Sequence, residues 1–150
     1  MTDKTQIKPP AWLKGLNEQL MEQQREGTGM HDLPVLTVPG RRSGEPRRTP
    51  LTVLELDGER YLLGGFPGAD WIRNVRAAGA GTLSVGGLHE HVRLVELDAD
   101  DALPVLRAWP VEVPQGAEMM RDAGVVADAT PDAFAYVAGI CPVFRVERAA

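Results

Sequence analysis

Between Gly40 and Pro50 the chain places four arginines in eleven residues, Gly40-Arg41-Arg42-Ser43-Gly44-Glu45-Pro46-Arg47-Arg48-Thr49-Pro50, with a single acid among them. Guanidinium is planar, stays charged at any working pH, and can give two parallel hydrogen bonds to a phosphate or carboxylate; lysine offers only a point charge. Gly44 and Pro46 bend the backbone so that Arg41, Arg42 and the Ser43 hydroxyl converge from one limb, with Arg47 and Thr49 arriving from the other. The segment carries +3 in a chain whose formal net charge is -5. Charge focused in this way suits a compact anion, a phosphate or a polycarboxylate, rather than the broad basic face of a nucleic-acid binder. The competing reading is a solvated basic hairpin tip.

Other chemistries fit the residues poorly. A phosphate-binding P-loop needs Lys and then Ser or Thr after its last glycine, and here Glu45 follows Gly44. Gly64, Gly65 and Gly68 lack the spacing of a dinucleotide fingerprint, and Pro67 interrupts any turn into a helix there. His89 and His91 lie two apart on an expected strand and face the same way, but no third ligand stands at metal-site spacing, so no metal is expected. Cys141 precedes Pro142 at a strand start and reads as a buried structural thiol. No side chain emerges as a nucleophile or an acid-base dyad.

The elements that must hold the arginine segment can be read from periodicity. Trp12, Leu13, Leu16 and Leu20 recur at helical spacing before Gly27, which predicts an N-terminal amphipathic helix over about 10–27. Leu33 to Val38 and Thr52 to Leu56 are expected to be strands paired across the arginine turn. Asp57-Gly58 is a strong hairpin signal leading into a strand from Arg60 to Gly64. Asp70 is the expected cap of a helix through Ala78, and two further strands, Thr82 to Val85 and Glu90 to Leu97, meet at Gly86-Gly87. A helix should start at Asp98 and stop at Pro110, another should be capped by Thr130, and Val143 to Val146 should close the sheet. Residues 111–129 show no clear pattern. Six or so antiparallel strands with short helices imply an α+β fold, a small mixed barrel in one domain spanning 1–150, and not a doubly wound parallel sheet.

The order strand, Gly40-Arg41-Arg42-Ser43-Gly44-x-x-Arg47-x-x-Pro50, strand, hairpin, strand, Trp71-x-x-Asn74 resembles the deazaflavin-dependent nitroreductases. The resemblance runs from Leu33 to Val85 and more loosely covers Tyr136 to Glu147. It implies a split β-barrel that binds coenzyme F420, an 8-hydroxy-5-deazaflavin with a ribityl phosphate and a lactyl oligoglutamate tail. It implies further that Arg41, Arg42, Ser43 and Arg47 bind the phosphate and the start of the tail. Thr49, Pro50 and Leu51 would pass beneath the cofactor, and Leu63, Gly64 and Gly65 would present backbone to its ring. Trp71 and Asn74 would stand beside it, and Tyr136 would touch substrate or donate a proton. The Phe66-Pro67-Gly68-Ala69 loop is shorter and less polar than is usual in that family.

On this reading the protein is a reductase that passes a hydride from reduced F420 to a small electron-poor acceptor: a quinone, an activated alkene or a nitro compound. Two alternatives keep the fold: a reductase that uses FMN, or a non-catalytic protein that holds the cofactor or a lipid. A sequence pI near 5.2 argues against a nucleic-acid partner. No run approaches the roughly 20 apolar residues of a membrane span, and the lone cysteine fits a reducing compartment, so a cytoplasmic protein is expected; thirteen Arg against three Lys, with abundant Ala, Gly and Val, suggest a bacterial source. Split barrels frequently dimerise, and a homodimer is expected on fold analogy alone.

Overall fold

The computed structural model describes residues 4–12 and 33–149, so the helix expected over about 10–27 lies almost wholly outside the described residues. Seven strands, β1 (Val35–Pro39), β2 (Pro46–Pro50), β3 (Leu54–Leu56), β4 (Glu59–Leu63), β5 (Ala80–Val85), β6 (Leu88–Glu96) and β7 (Val143–Arg148), form one antiparallel sheet in the order β2-β1-β5-β6-β7-β4-β3. Among the described residues four α-helices accompany it, α1 (Asp70–Ala78), α2 (Ala99–Glu112), α3 (Pro114–Asp122) and α4 (Pro131–Ala135), besides one 3-10 turn at Lys4–Gln6. The sheet curls into the half-barrel of a split β-barrel, as the sequence leads one to expect.

The sheet buries different faces in its two halves because its pleat alternates side chains. Leu36, Val38, Leu83, Val92, Leu94 and Phe144 share one face, where Ile72 and Val75 of α1 complete a core. Leu54 of β3, Leu63 of β4 and Val143 of β7 belong to a second core on the opposite face, closed by Leu106 and Trp109 of α2, Met120 of α3 and Phe134 of α4. Cys141 lies in that second core, where burial pushes its thiol up to about 12 and keeps it inert.

One pairing departs from expectation. The partner of β1 is not Thr52–Leu56 but the arginine segment itself, with Val38 opposite Arg47, Leu36 opposite Thr49 and Val35 opposite Pro50. Leu54–Leu56 instead pairs with β4 at the far edge of the sheet. Prolines at both ends of β2 cannot donate ladder bonds, and an edge strand is the place where that loss is tolerated. The two arginines on this edge strand also discourage pairing with another chain.

The helices depart in smaller ways. Ala69 occupies the cap position of α1 without a side-chain bond, and Asp70 is its first helical residue, where a carboxylate meets the positive end of the helix dipole. Pro110 does not stop α2, which runs on to Glu112 with Val113 N–H donating to the Trp109 carbonyl at 2.7 Å. Residues 111–129, unassigned from sequence, contain α3, which opens on Pro114 and buries Ala117 and Met120. The expected cap at Thr130 is present, accepting from the Ala133 N–H at 3.3 Å, and Asp98, expected only as charge at a helix start, also caps, accepting from the Asp101 N–H at 2.8 Å.

Candidate functional site

The arginine turn closes on itself through two backbone bonds, Gly40 N–H to the Glu45 carbonyl and Gly44 N–H to the Gly40 carbonyl, each 2.8 Å. Gly44 takes φ +73°, a conformation that glycine adopts without the strain a side chain would bring. The Ser43 hydroxyl accepts from the Glu45 N–H at 3.2 Å, which folds it back over the turn. A Cβ built on Gly40 would stand 3.1 Å from Ser43 Oγ and 3.3 Å from Arg47 Nε. Residue 40 is therefore the floor of a small cradle on which a hydroxyl and a guanidinium converge.

Strand pleat then sorts the arginines. Arg47 lies opposite Val38 and shares the face that carries α1, as does Thr49 opposite Leu36. Arg48 lies opposite Thr37 and so belongs to the other face, with Thr82 and His91. The side chains of Arg42, in the turn, and Arg47, in β2, make no hydrogen bond or ion pair among the described residues. Arg41 is different: its guanidinium gives Nη1 to Asn74 Oδ1 at 2.8 Å and Nη2 to Asp70 Oδ1 at 3.4 Å.

Register fixes what lies near the turn. Pro39 of β1, Ala80 of β5, Glu96 of β6, Val143 of β7 and Leu63 of β4 all fall toward the same end of the sheet. The arginine turn and the Gly64-Gly65 segment thus share one rim of the half-barrel. Gly64 N–H donates to the Pro142 carbonyl at 2.8 Å, and a Cβ there would come within 2.7 Å of Ile72 Cδ1 and 2.8 Å of Pro142 Cγ. At Gly65 a Cβ would meet Met120 Sδ at 2.8 Å. Both glycines are thus enforced by packing inside the protein. Gly64→Ala is expected to cost about 1–3 kcal/mol of stability through overpacking, read as a lower urea midpoint. An unchanged midpoint would mean that Ile72 and Pro142 yield freely.

Leu63 is buried in the helix-side core, Pro50 is buried at the end of β2, and Leu51 packs at the border of the α1 core, its N–H donating to the Pro34 carbonyl at 2.9 Å. Trp71 is half-buried on α1 with its ring 5.9 Å from that of Phe144, tilted by 57°. Asn74, at 4% exposure, is the only buried polar residue among those described. Tyr136 ends α4 and is 89% exposed, and among the described residues no hydrogen bond joins it to the turn. Sequence reasoning passed over Asp70 as anything but a cap and did not single out Arg73, although an acid and a base three apart on a helix are a legible pair. Arg73 reaches Asp70 Oδ1 at 3.6 Å and the Gly68 carbonyl at 3.4 Å. Gly68 is also covered from the N-terminal side, its N–H donating to the Ile7 carbonyl at 2.7 Å.

A seven-stranded antiparallel half-barrel with short flanking helices places the chain in the split-barrel fold class. Within it, residues 17–123 match the model of the F420H(2)-dependent quinone reductases, and the chain belongs to that family. Among solved structures, one described as a domain-swapped dimer is 24% identical with TM-score 0.56, over 91% of this chain and 97% of that one. An F420-H2-dependent reductase is 23% identical with TM-score 0.55, over 79% and 100%. A FAD-binding protein from Mesorhizobium loti is 17% identical with TM-score 0.52, over 89% of each chain. These likenesses show the fold. No curated protein sequence matches.

Family membership makes the protein an F420-dependent oxidoreductase and lends no support to FMN. The residues fit such a group: the cradle over Gly40 offers a hydroxyl and a guanidinium, and neighbouring Arg42 is free of protein partners among the described residues. Those are the donors that a phosphate and carboxylates require. No described helix is long and apolar enough to cross a membrane, and no described cluster of His, Cys, Asp or Glu could hold a metal.

Proposed function

We propose that this protein reduces a small electron-poor acceptor, a quinone first and an activated alkene or nitro compound by the same chemistry, at the expense of reduced F420. The observation that carries the reading is the convergence of Ser43 and Arg47 over Gly40, on the same sheet rim as Gly64-Gly65. Bound and reduced, F420 supplies a hydride, and a proton must join it on the acceptor.

The chain's own part is binding and orientation. Arg42, Ser43 and Arg47 hold the phosphate and the first carboxylate of the tail by charge-assisted hydrogen bonds. Thr49, which shares the face of Arg47, and Pro50-Leu51 beyond it underlie the cofactor. Leu63, Gly64 and Gly65 set the rim against which its ring rests, and the Trp71–Phe144 pair gives that rim a rigid apolar wall. Fixing the reacting partners in this way is the main catalytic contribution open to a site with no nucleophile.

Tyr136 is proposed as the residue on the acceptor side. At 89% exposure its hydroxyl is free to meet an acceptor arriving from solvent. Tyr136→Phe is expected to slow turnover about tenfold or more while leaving F420 affinity unchanged. Unchanged turnover would assign the proton to water. The function itself is tested by adding menadione to the protein loaded with reduced F420 and following the return of oxidised-cofactor absorbance. Stoichiometric, protein-dependent oxidation supports the reductase; none with menadione, an activated alkene or a nitro compound contradicts it.

A further inference from the structure

The four arginines of the turn are not equivalent, and the difference lies in Asn74. Its side chain sits on the face of α1 that also buries Ile72 and Val75, at 0% and 1% exposure, so its amide is held as rigidly as the core. Asn74 Oδ1 accepts twice from one residue: the backbone N–H of Arg41 at 3.1 Å and Arg41 Nη1 at 2.8 Å. Two bonds from a single partner fix both the path of the chain at residue 41 and the direction of its side chain. Arg41 Nη2 adds a contact to Asp70 at 3.4 Å, one turn earlier on the same helix. The Arg41 side chain is only 26% exposed as a result, although its residue as a whole is open to solvent.

We propose that Arg41 is the anchor of the turn and not an anion ligand, and that Asn74 is its receptor, a positioning pair that sets Ser43, Arg42 and Arg47 in register for the anion. This rests on the reading of the turn as the F420 anion site. Two of the five donors of Arg41 are engaged by its own protein, its guanidinium is aimed at α1 and is only partly exposed, and part of its charge is met by Asp70, which it shares with Arg73. Arg42 and Arg47, which lack such partners among the described residues, are left to meet the anion. The pair spans 33 residues and joins the turn to a helix packed on β1 and β5, so the cradle moves with the core.

The test uses Arg41→Ala, Asn74→Ala and the double variant, with two readouts. In the ligand-free protein, amide hydrogen exchange over residues 40–45 is expected to speed up at least tenfold in each variant, because the Arg41 N–H loses either its acceptor or the side chain that holds it there. In F420 titrations, the two single variants are expected to lose affinity by the same factor, about five- to thirtyfold, with the double variant no weaker than the weaker single. In Asn74→Ala, which removes no charge, the dependence of affinity on salt is expected to stay as in the wild type.

Arg41→Ala losing affinity together with part of its salt dependence, while Asn74→Ala binds normally, would overturn the proposal and make Arg41 a ligand. So would exchange rates unchanged from the wild type. If Asn74→Ala does not fold, Asn74→Asp replaces it: the carboxylate keeps the acceptor, and wild-type affinity within about threefold is expected, whereas a large loss contradicts the receptor role. Failure of the wild type to bind F420 would sink the functional reading alone, because the exchange readout still decides whether the anchor exists.

Discussion

Arg42→Ala and Arg47→Ala are each expected to weaken F420 binding by about 1.5–3 kcal/mol, the usual worth of a hydrogen bond to a charged group. That corresponds to roughly ten- to 150-fold in the dissociation constant. The expectation rests on position. Arg47 is held opposite Val38 on the face that carries α1, and its Nε lies beside Ser43 Oγ over Gly40. Arg48, one residue on, points to the other face, and Arg48→Ala serves as the control with little effect. An FMN titration separates two meanings of the loss. If both ligands weaken equally, the cradle reads only a phosphate; a larger loss for F420 shows that it also reads the tail carboxylate.

Phe144→Ala carries the largest expected effect on stability, about 3–5 kcal/mol, the range for removing a phenyl ring from a close-packed core. Phe144 is 1% exposed and lies on β7 between β4 and β6, opposite Leu62 and Glu96. Its ring is also the neighbour of Trp71. The substitution is therefore expected to lower the urea midpoint strongly and to shift tryptophan emission as Trp71 loses its wall. A small change in midpoint would mean that Trp71 or α1 collapses into the space, and the apolar wall ascribed to this pair would then be no fixed feature.

Much of the candidate site was legible because its signals are local. Gly44 amid four arginines announces a basic turn, and Asp57-Gly58 announces a hairpin, both of the latter residues duly taking positive φ. The helix from Asp70 to Ala78 follows from the spacing of Ile72 and Val75, and Gly79 ends it in the left-handed conformation. What stayed hidden depends on distant contacts. The arginine segment reads as a turn throughout, since Pro46 and Pro50 argue against a strand; only its place at the edge, beside β1, makes Pro46–Pro50 a strand. That displaced the expected partner of β1 to the opposite edge.

Pro110 reads as a helix stop, yet burial of Trp109 and Pro110 in α2 outweighs one missing backbone bond. The bond from Arg41 to Asn74 joins residues whose types were each noticed but whose meeting no spacing rule could supply. Likewise no spacing rule could supply Ile72, Pro142 and Met120, which stand where a Cβ on Gly64 or Gly65 would lie. Local chemistry was visible in the sequence; which groups are engaged within the protein required the fold.

The account is tested most directly by titrating the purified protein with F420 and, in parallel, with FMN, following fluorescence at low and at high salt. Micromolar or tighter binding of F420, weakened by salt and well beyond any binding of FMN, is the predicted result. Equal or stronger binding of FMN, or F420 binding indifferent to salt, would contradict the assignment of the Arg42, Ser43 and Arg47 cradle to the cofactor's phosphate and tail.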